Sequence, residues 1–265
     1  MITFPNIKIN LGLYITRRRN DGFHNLLSCF YPVDWCDILE VVPSDKFEFV
    51  QTGIEIPGNQ EENLCCKAYY LLKEHFDLPP ARIHLHKIIP MGAGLGGGSS
   101  DAAFTLKSLN TVFRLNLNDQ QLAMYAAQLG SDCAFFIGNK PAIASSRGEV
   151  LHETTLDLKG KWIAIVCPGI HISTKQAFSG VNPKVYDLDF AEVLSQTDHW
   201  PDQLHNQFED TVFPLQPELK LIKEDLYQNG AFYASMSGSG SSLFGLFEKE
   251  PDLDLTTQIA FKGIL

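Results

Sequence analysis

Glycine occupies five of the seven positions from 92 to 98, in the run Pro90-Met91-Gly92-Ala93-Gly94-Leu95-Gly96-Gly97-Gly98-Ser99-Ser100-Asp101. Such a chain can take positive φ and has few side chains to hold a ligand away from its backbone. Its N–H groups are therefore offered to an anion. Where the loop opens onto a helix, the unpaired donors and positive dipole end of that helix add to them, which suits a polyphosphate. The dipole contributes about 0.3–1 kcal/mol. Most of the binding must come from direct N–H contacts, a magnesium ion and a cation such as Lys87, three residues before Pro90.

Other readings of the run are weaker. A flexible linker does not usually sit between an apolar strand and an amphipathic helix with proline where the strand ends. Gly92-x-Gly94-x-x-Gly97 satisfies the dinucleotide fingerprint as written. That fingerprint belongs after the first strand of a parallel unit, with an acid ending the next strand about 20 residues on. Here several strands come first, and the nearest acid, Asp119, falls at a helix start. A P-loop is excluded because neither Gly-Lys-Ser nor Gly-Lys-Thr occurs.

The elements that must position the loop can be read from periodicity. Ile7, Ile9, Leu11, Leu13 and Ile15 fall at every second position, which predicts a half-buried strand with Lys8, Asn10, Gly12 and Tyr14 on its other face. Further strand-like segments near 26–31, 38–42 and 47–50 suggest an antiparallel beginning. A helix is predicted over 63–76 and a strand over 82–89, carrying His84 and His86 on one face. Those imidazoles could share a metal, though two exposed histidines on one strand are the simpler reading. After the glycine run, Ala102, Ala103, Leu106, Leu109 and Phe113 trace a helical stripe, for which Ser99, Ser100 and Asp101 are candidate caps. Asn118 and Gln121 predict a capping box for a helix ending at Gly130, followed by short strands to about 152. The later chain reads as strand 162–167, a helix from Ser173, helices near 189–195 and 217–228, and strands 231–236 and 242–247. The expected division is a domain over 1–158 and another over 159–265.

Composition bounds the functional class. The chain has 265 residues, 45% hydrophobic and 20% charged, with a formal charge of −10. That length favours two packed lobes. The negative charge argues against nucleic acid or an anionic membrane as partner. Arg17-Arg18-Arg19 reads as a solvated turn before Asn20-Asp21-Gly22. No signal peptide or membrane-spanning apolar stretch is visible. The six cysteines lack a Cys-x-x-Cys pair, so reduced thiols in a cytoplasmic protein are expected.

Pro90 to Ala103 resembles the central phosphate-binding motif of the GHMP kinase superfamily. Phe4-Pro5-Asn6-Ile7-Lys8-Ile9-Asn10-Leu11 and Ser237-Gly238-Ser239-Gly240-Ser241 are similar to its first and third motifs, in the same order. Asp21-Gly22-Phe23-His24, Gly130-Ser131-Asp132, Pro168 to Phe178 and Asn206-x-Phe208-Glu209 sharpen the resemblance toward a member acting on a cytidine diphosphate-linked alcohol. The likeness runs from residue 4 to about 247. It departs at Phe23, where the family more often has Tyr, and at Cys133-Ala134, where a small residue and Pro are usual. The implied fold is α+β and two-domain: an N-terminal ribosomal-protein-S5-like domain and a C-terminal ferredoxin-like domain.

The resemblance implies an ATP- and Mg2+-dependent kinase with an alcohol acceptor and small-molecule partners, and it leaves a homodimer open. It implies Asp132 as proton acceptor with Lys8 beside it, and Asn10 orienting the substrate hydroxyl. Taken without it, Lys8 reads as a solvated strand lysine and Asp132 as a cap. Nucleotide contacts are implied at Asn63, Leu64, Lys87, Pro90, Gly92, Ala93, Gly94, Leu95, Gly96, Gly97, Gly98, Ser99 and Ser100. An Asn cap and a core Leu explain Asn63 and Leu64 nearly as well, and an exposed strand lysine would explain Lys87. Phe23, His24 and Phe178, with Thr174, are implied as a cytosine pocket. Two alternatives stand beside this: another GHMP kinase acting on mevalonate, a sugar or an amino-alcohol, and a non-catalytic nucleotide-binding module.

Overall fold

The computed structural model describes residues 1–186, 189–253 and 259–265. The chain forms two compact units: one comprises 1–7, 35–91 and 96–140, the other 8–34, 92–95 and 141–265.

The first unit contains a four-stranded sheet in the order Ile2–Thr3, Ile38–Pro43, Ala81–Lys87, Glu48–Gly53. Its apolar face places Leu39 and Val41 beside Ile83 and Leu85, all with no exposed surface. Helices Leu64–His75 and Gly97–Val112 pack together, and the second also lies on strand Ile38–Pro43. The expected antiparallel beginning is corrected at one pair, because Glu48–Gly53 runs parallel to Ala81–Lys87. Helix Leu64–His75 lies between them in sequence and makes the crossover that a parallel pair requires.

The predicted capping box is present, with Asn118 and Gln121 closing helix Asp119–Leu129 reciprocally. The predicted caps of the glycine-loop helix are not. That helix begins at Gly97 with Gly96 as its N-cap, in the left-handed region at φ 73° and without a side-chain cap. Ser99, Ser100 and Asp101 therefore lie within its first turns. Glycine adopts this conformation without the steric cost that Cβ imposes, so the helix starts earlier than side-chain capping suggests.

In the second unit, Trp162–Val166 and Leu243–Phe247 are central in a sheet flanked by Tyr233–Met236 and Ile259–Ile264, all paired antiparallel. Helix Pro217–Gln228 covers it through Leu219, Ile222 and Leu226. A further sheet runs in the order Asn6–Arg18, His24–Cys36, Ala142–Ser145, Val150–Glu153. Asn6–Arg18 is not half-buried as its alternation suggested: every residue from Asn6 to Ile15 is buried. The polar face is enclosed because its side chains satisfy one another, as described below. The short helices Phe135–Gly138, Trp200–Gln203 and Glu209–Leu215 and the strand Ile259–Ile264 lack long periodic signals and were not anticipated.

Candidate active site

In the first unit, a cavity of about 360 Å³ is walled by Phe49, Gln51, the 56–60 segment, Asn63 and Leu64, and reaches Lys87, Gly98 and Asp101. Asn63 caps helix Leu64–His75, its side chain accepting the Cys65 N–H at 2.9 Å. Leu64 is only partly buried and lines this cavity, so the reading of it as a core leucine is corrected.

Lys87 is not an exposed strand lysine. Its ammonium lies 2.5 Å from Asp37 Oδ2 and 2.7 Å from Asp101 Oδ2, and all three side chains are buried. Burial alone would lower the lysine pKa, but the two carboxylates outweigh it and raise it. Burial pushes Asp101 up to about 7, against the pull of Lys87 and with a further push from Asp37. Asp101 Oδ1 and Ser100 Oγ are buried without hydrogen-bond partners. His84 and His86 both bond the Thr52 hydroxyl at 2.9 Å, and among the described residues no cluster of three or more His, Cys, Asp or Glu could hold a metal. Asp132 lies, partly buried, in the turn before helix Phe135–Gly138.

The glycine loop takes positive φ at Gly92, Gly94 and Gly96, with values of 65°, 78° and 73°. Pro90 is partly buried between the strand end and this loop, while Ala93 and Leu95 are buried. Within the second unit, residues 92–95 are held by the 237–242 loop: Ser237 Oγ donates to Gly94 O at 3.0 Å, and Ser242 N to Ala93 O at 3.2 Å. A Cβ on Gly94 would lie 2.0 Å from Ser237 O. Asn206 supports the 237–242 loop from behind, donating to Met236 O at 2.7 Å and Gly238 O at 2.9 Å. Glu209 adds to this by accepting the Met236 N–H at 2.8 Å. The N–H of Lys8 donates to Leu95 O at 3.0 Å.

Lys8 Nζ also donates to Asn10 Oδ1 at 2.5 Å and sits 4.8 Å from the centre of the Phe30 ring. Asn10 Nδ2 donates to Ser28 Oγ at 2.8 Å, which donates to Gly12 O at 2.6 Å. This relay fixes the amide of Asn10, because an ammonium can only donate. Of the expected cytosine-pocket residues, His24 and Phe178 are brought together with ring centres 4.7 Å apart. Burial, and then the charge of Arg18, lower the His24 pKa. Phe23 is 54% exposed with the Arg147 guanidinium 5.2 Å from its ring centre, and Thr174 is exposed at the start of helix Thr174–Ser179.

Comparison with known proteins decides the family. The family models described as GHMP kinases N terminal domain and GHMP kinases C terminal match residues 63–140 and 195–258. A 4-diphosphocytidyl-2-C-methyl-D-erythritol kinase of Bacteroides thetaiotaomicron is 52% identical over 274 residues, covering 100% of each chain. One of Cytophaga hutchinsonii is 49% identical over 254 residues, covering 95% of this chain and 94% of the relative. The chain belongs to the 4-diphosphocytidyl-2-C-methyl-D-erythritol kinase family of GHMP kinases.

A crystal structure described as 4-(cytidine 5'-diphospho)-2C-methyl-D-erythritol kinase agrees with that family, with 33% identity, a TM-score of 0.82 and coverage of 94% of this chain and 91% of that one. The Methanococcus jannaschii mevalonate kinase, at 13% identity and a TM-score of 0.69 over 100% of this chain and 98% of its own, shares the fold. Like other members of the family, this chain is a kinase. No helix among the described residues is long and apolar enough to cross a membrane.

The sequence reading missed Asp37, the acceptor role of Asp101, the Ser28 link in the relay and Arg147. Asp37 stands 50 residues from Lys87, a separation to which no local pattern points. Asn206 and Glu209 were visible as a motif, but their work on the 237–242 loop was not.

Proposed function

We propose that this chain transfers the γ-phosphoryl group of ATP to the 2-hydroxyl of 4-diphosphocytidyl-2-C-methyl-D-erythritol, a step of non-mevalonate isoprenoid precursor biosynthesis. The observation that carries this is the positive-φ glycine loop opening onto an uncapped helix start, in a chain that is 52% identical along its full length to a kinase named for that substrate. The residues fit a polyphosphate. The first N–H groups of a helix lack intrahelical acceptors, and Gly96 brings no side chain to satisfy them.

In this reading the 92–98 backbone cradles the phosphates, with Ser99 and Ser100 adding hydroxyls, while Asn63, Leu64 and the cavity beside them receive the base. A magnesium ion neutralises phosphate charge when bound. Such ions use few protein ligands alongside substrate phosphates, and the unpartnered Ser100 hydroxyl is an oxygen suited to one.

A hydroxyl must be aligned and deprotonated before it attacks. Asp132 takes that proton, Lys8 stabilises the charge that develops, and Asn10, held in one orientation by Lys8 and Ser28, aligns the hydroxyl. A positioned base is worth about 10²–10⁴-fold. The neutral imidazole of His24, backed by Phe178, reads the edge of the cytosine, while Phe23 and Thr174 complete the pocket.

The division into 1–158 and 159–265 is supported by the two family models falling on either side of it. None of the six cysteines forms a disulfide, which supports a cytoplasmic location.

Incubation with ATP, magnesium and a panel of alcohols, followed by phosphorus NMR, tests the proposal. A new phosphomonoester on the cytidylated alcohol alone is expected. Faster reaction with mevalonate, homoserine or uncytidylated methylerythritol phosphate would overturn it.

A further inference from the structure

Lys87 ends strand Ala81–Lys87 just before the phosphate loop, yet its side chain turns inward to a pair of carboxylates. One cation between two carboxylates leaves no positive charge to offer a phosphate. The ammonium instead joins two points that bracket the loop in sequence.

On the strand side, Asp37 binds Lys87 through Oδ2, and its Oδ1 accepts the N–H groups of Ile88 at 2.6 Å and Ile89 at 2.9 Å. Asp37 is itself anchored, its N–H donating to Pro5 O at 2.9 Å. On the helix side, Asp101 is the fifth residue of Gly97–Val112 and binds the same ammonium. The ammonium passes so close to the helix start that a Cβ on Gly97 would lie 3.2 Å from Nζ and 3.1 Å from Ile89 Cγ2. The residue on the strand side of the loop is thus drawn to the residue on its helix side through one buried nitrogen.

We propose that Asp37 and Asp101 are positioning residues for ATP binding, clamping the two ends of the phosphate loop through Lys87, and that the Lys87 ammonium is the bolt of this clamp and not a ligand of the nucleotide. This rests on the reading that the 92–98 loop holds the phosphates of ATP. The clamp restricts where the loop can begin and end, so its N–H groups are set before the nucleotide arrives, and that preorganisation appears as affinity.

The test is a set of variants of the full chain: Asp37→Asn, Asp101→Asn, Lys87→Met and their combinations. Binding of a non-hydrolysable ATP analogue is measured by calorimetry, and KM for ATP and for the alcohol by steady-state kinetics, with thermal melting as the check on folding. Asp101→Asn keeps size and shape and is the variant least prone to unfold. The expected result is at least about fivefold weaker analogue binding for each Asp variant, with KM for the alcohol changed less than about twofold. A general loosening of the structure would move both.

Lys87→Met is expected to weaken the analogue in the native background and to have no further effect in Asp37→Asn/Asp101→Asn. An equal loss in both backgrounds would make Lys87 a direct ligand and overturn the clamp. Unchanged analogue affinity in folded Asp37→Asn and Asp101→Asn would overturn it as well, while leaving the phosphate loop in place. Failure of the unaltered chain to bind the analogue would remove the phosphate-loop reading, and the clamp with it.

Discussion

The imidazole of His24 lies against the phenyl ring of Phe178, with planes 23° from parallel and centres 4.7 Å apart. Phe178 is in turn held edge-on by Phe208 at 4.8 Å, so the imidazole rests on a braced wall and not on a mobile ring. In the proposed cytosine pocket the base therefore does not slide between His24 and Phe178, and the ring nitrogens of His24 are the groups left to meet its edge. His24→Ala is expected to raise KM for the cytidylated alcohol by about tenfold, equivalent to ~1.4 kcal/mol, with KM for ATP nearly unchanged. Equal KM values for the alcohol in the variant and the unaltered chain would remove His24 from the acceptor site.

Gly94→Ala is expected to damage ATP use more than a generic loop substitution would. The new methyl would meet Ser237 O at 2.0 Å, and φ at this position is 78°. A non-glycine residue held in such a region costs about 1–3 kcal/mol, and the clash displaces either the glycine loop or its support. A lower melting temperature together with at least about tenfold higher KM for ATP is expected. Unchanged ATP kinetics would place the phosphate site elsewhere.

Asp132→Asn preserves size and removes the proposed proton acceptor. Turnover is expected to fall by at least about 10², with analogue binding retained, which separates chemistry from nucleotide affinity. Near-normal kcat would exclude Asp132 as the base.

The buried carboxylate of Asp101 has a consequence for pH. Its folded pKa of about 7 lies above the unfolded one, raised chiefly by burial. Between these values the folded chain holds a proton that the unfolded chain releases. The stability from this group is therefore complete below the unfolded value of about 3.9 and is lost as pH rises through about 7. Its slope is at most about 1.4 kcal/mol per pH unit. Urea unfolding at pH 5, 6, 7 and 8 should show the unaltered chain losing stability relative to Asp101→Asn as pH rises. A difference that stays flat would mean that Asp101 keeps an ordinary carboxylate pKa.

What could be read from sequence was local. The capping box at Asn118 and Gln121 depends on three-residue spacing, and the strand at Ile7–Ile15 on alternation; both elements formed. The glycine loop was legible because five glycines in seven positions have few structural uses. Burial of Lys8 and Asn10 was not legible, since alternation says that two faces differ in polarity but not that the polar one is open. The relay through Ser28 needs a partner 18 residues away, and the Lys87 triad needs Asp37 from the junction between strands His24–Cys36 and Ile38–Pro43, so neither leaves a periodic trace. Ser99–Asp101 looked like caps because side-chain oxygens usually start helices, a role that Gly96 took instead.

Gly94 and Ser237 are bonded across 143 positions of chain. During synthesis the glycine loop is made early, but the serines that brace it arrive much later. At ribosomal speeds of about 5–20 residues per second, that delay is on the order of ten seconds. Throughout it the nascent chain carries the glycine loop without its brace, and the entropy of closing so long a span must be overcome before the brace can form. On the proposed reading of this loop as the phosphate site, a half-made chain therefore offers ATP no finished cradle.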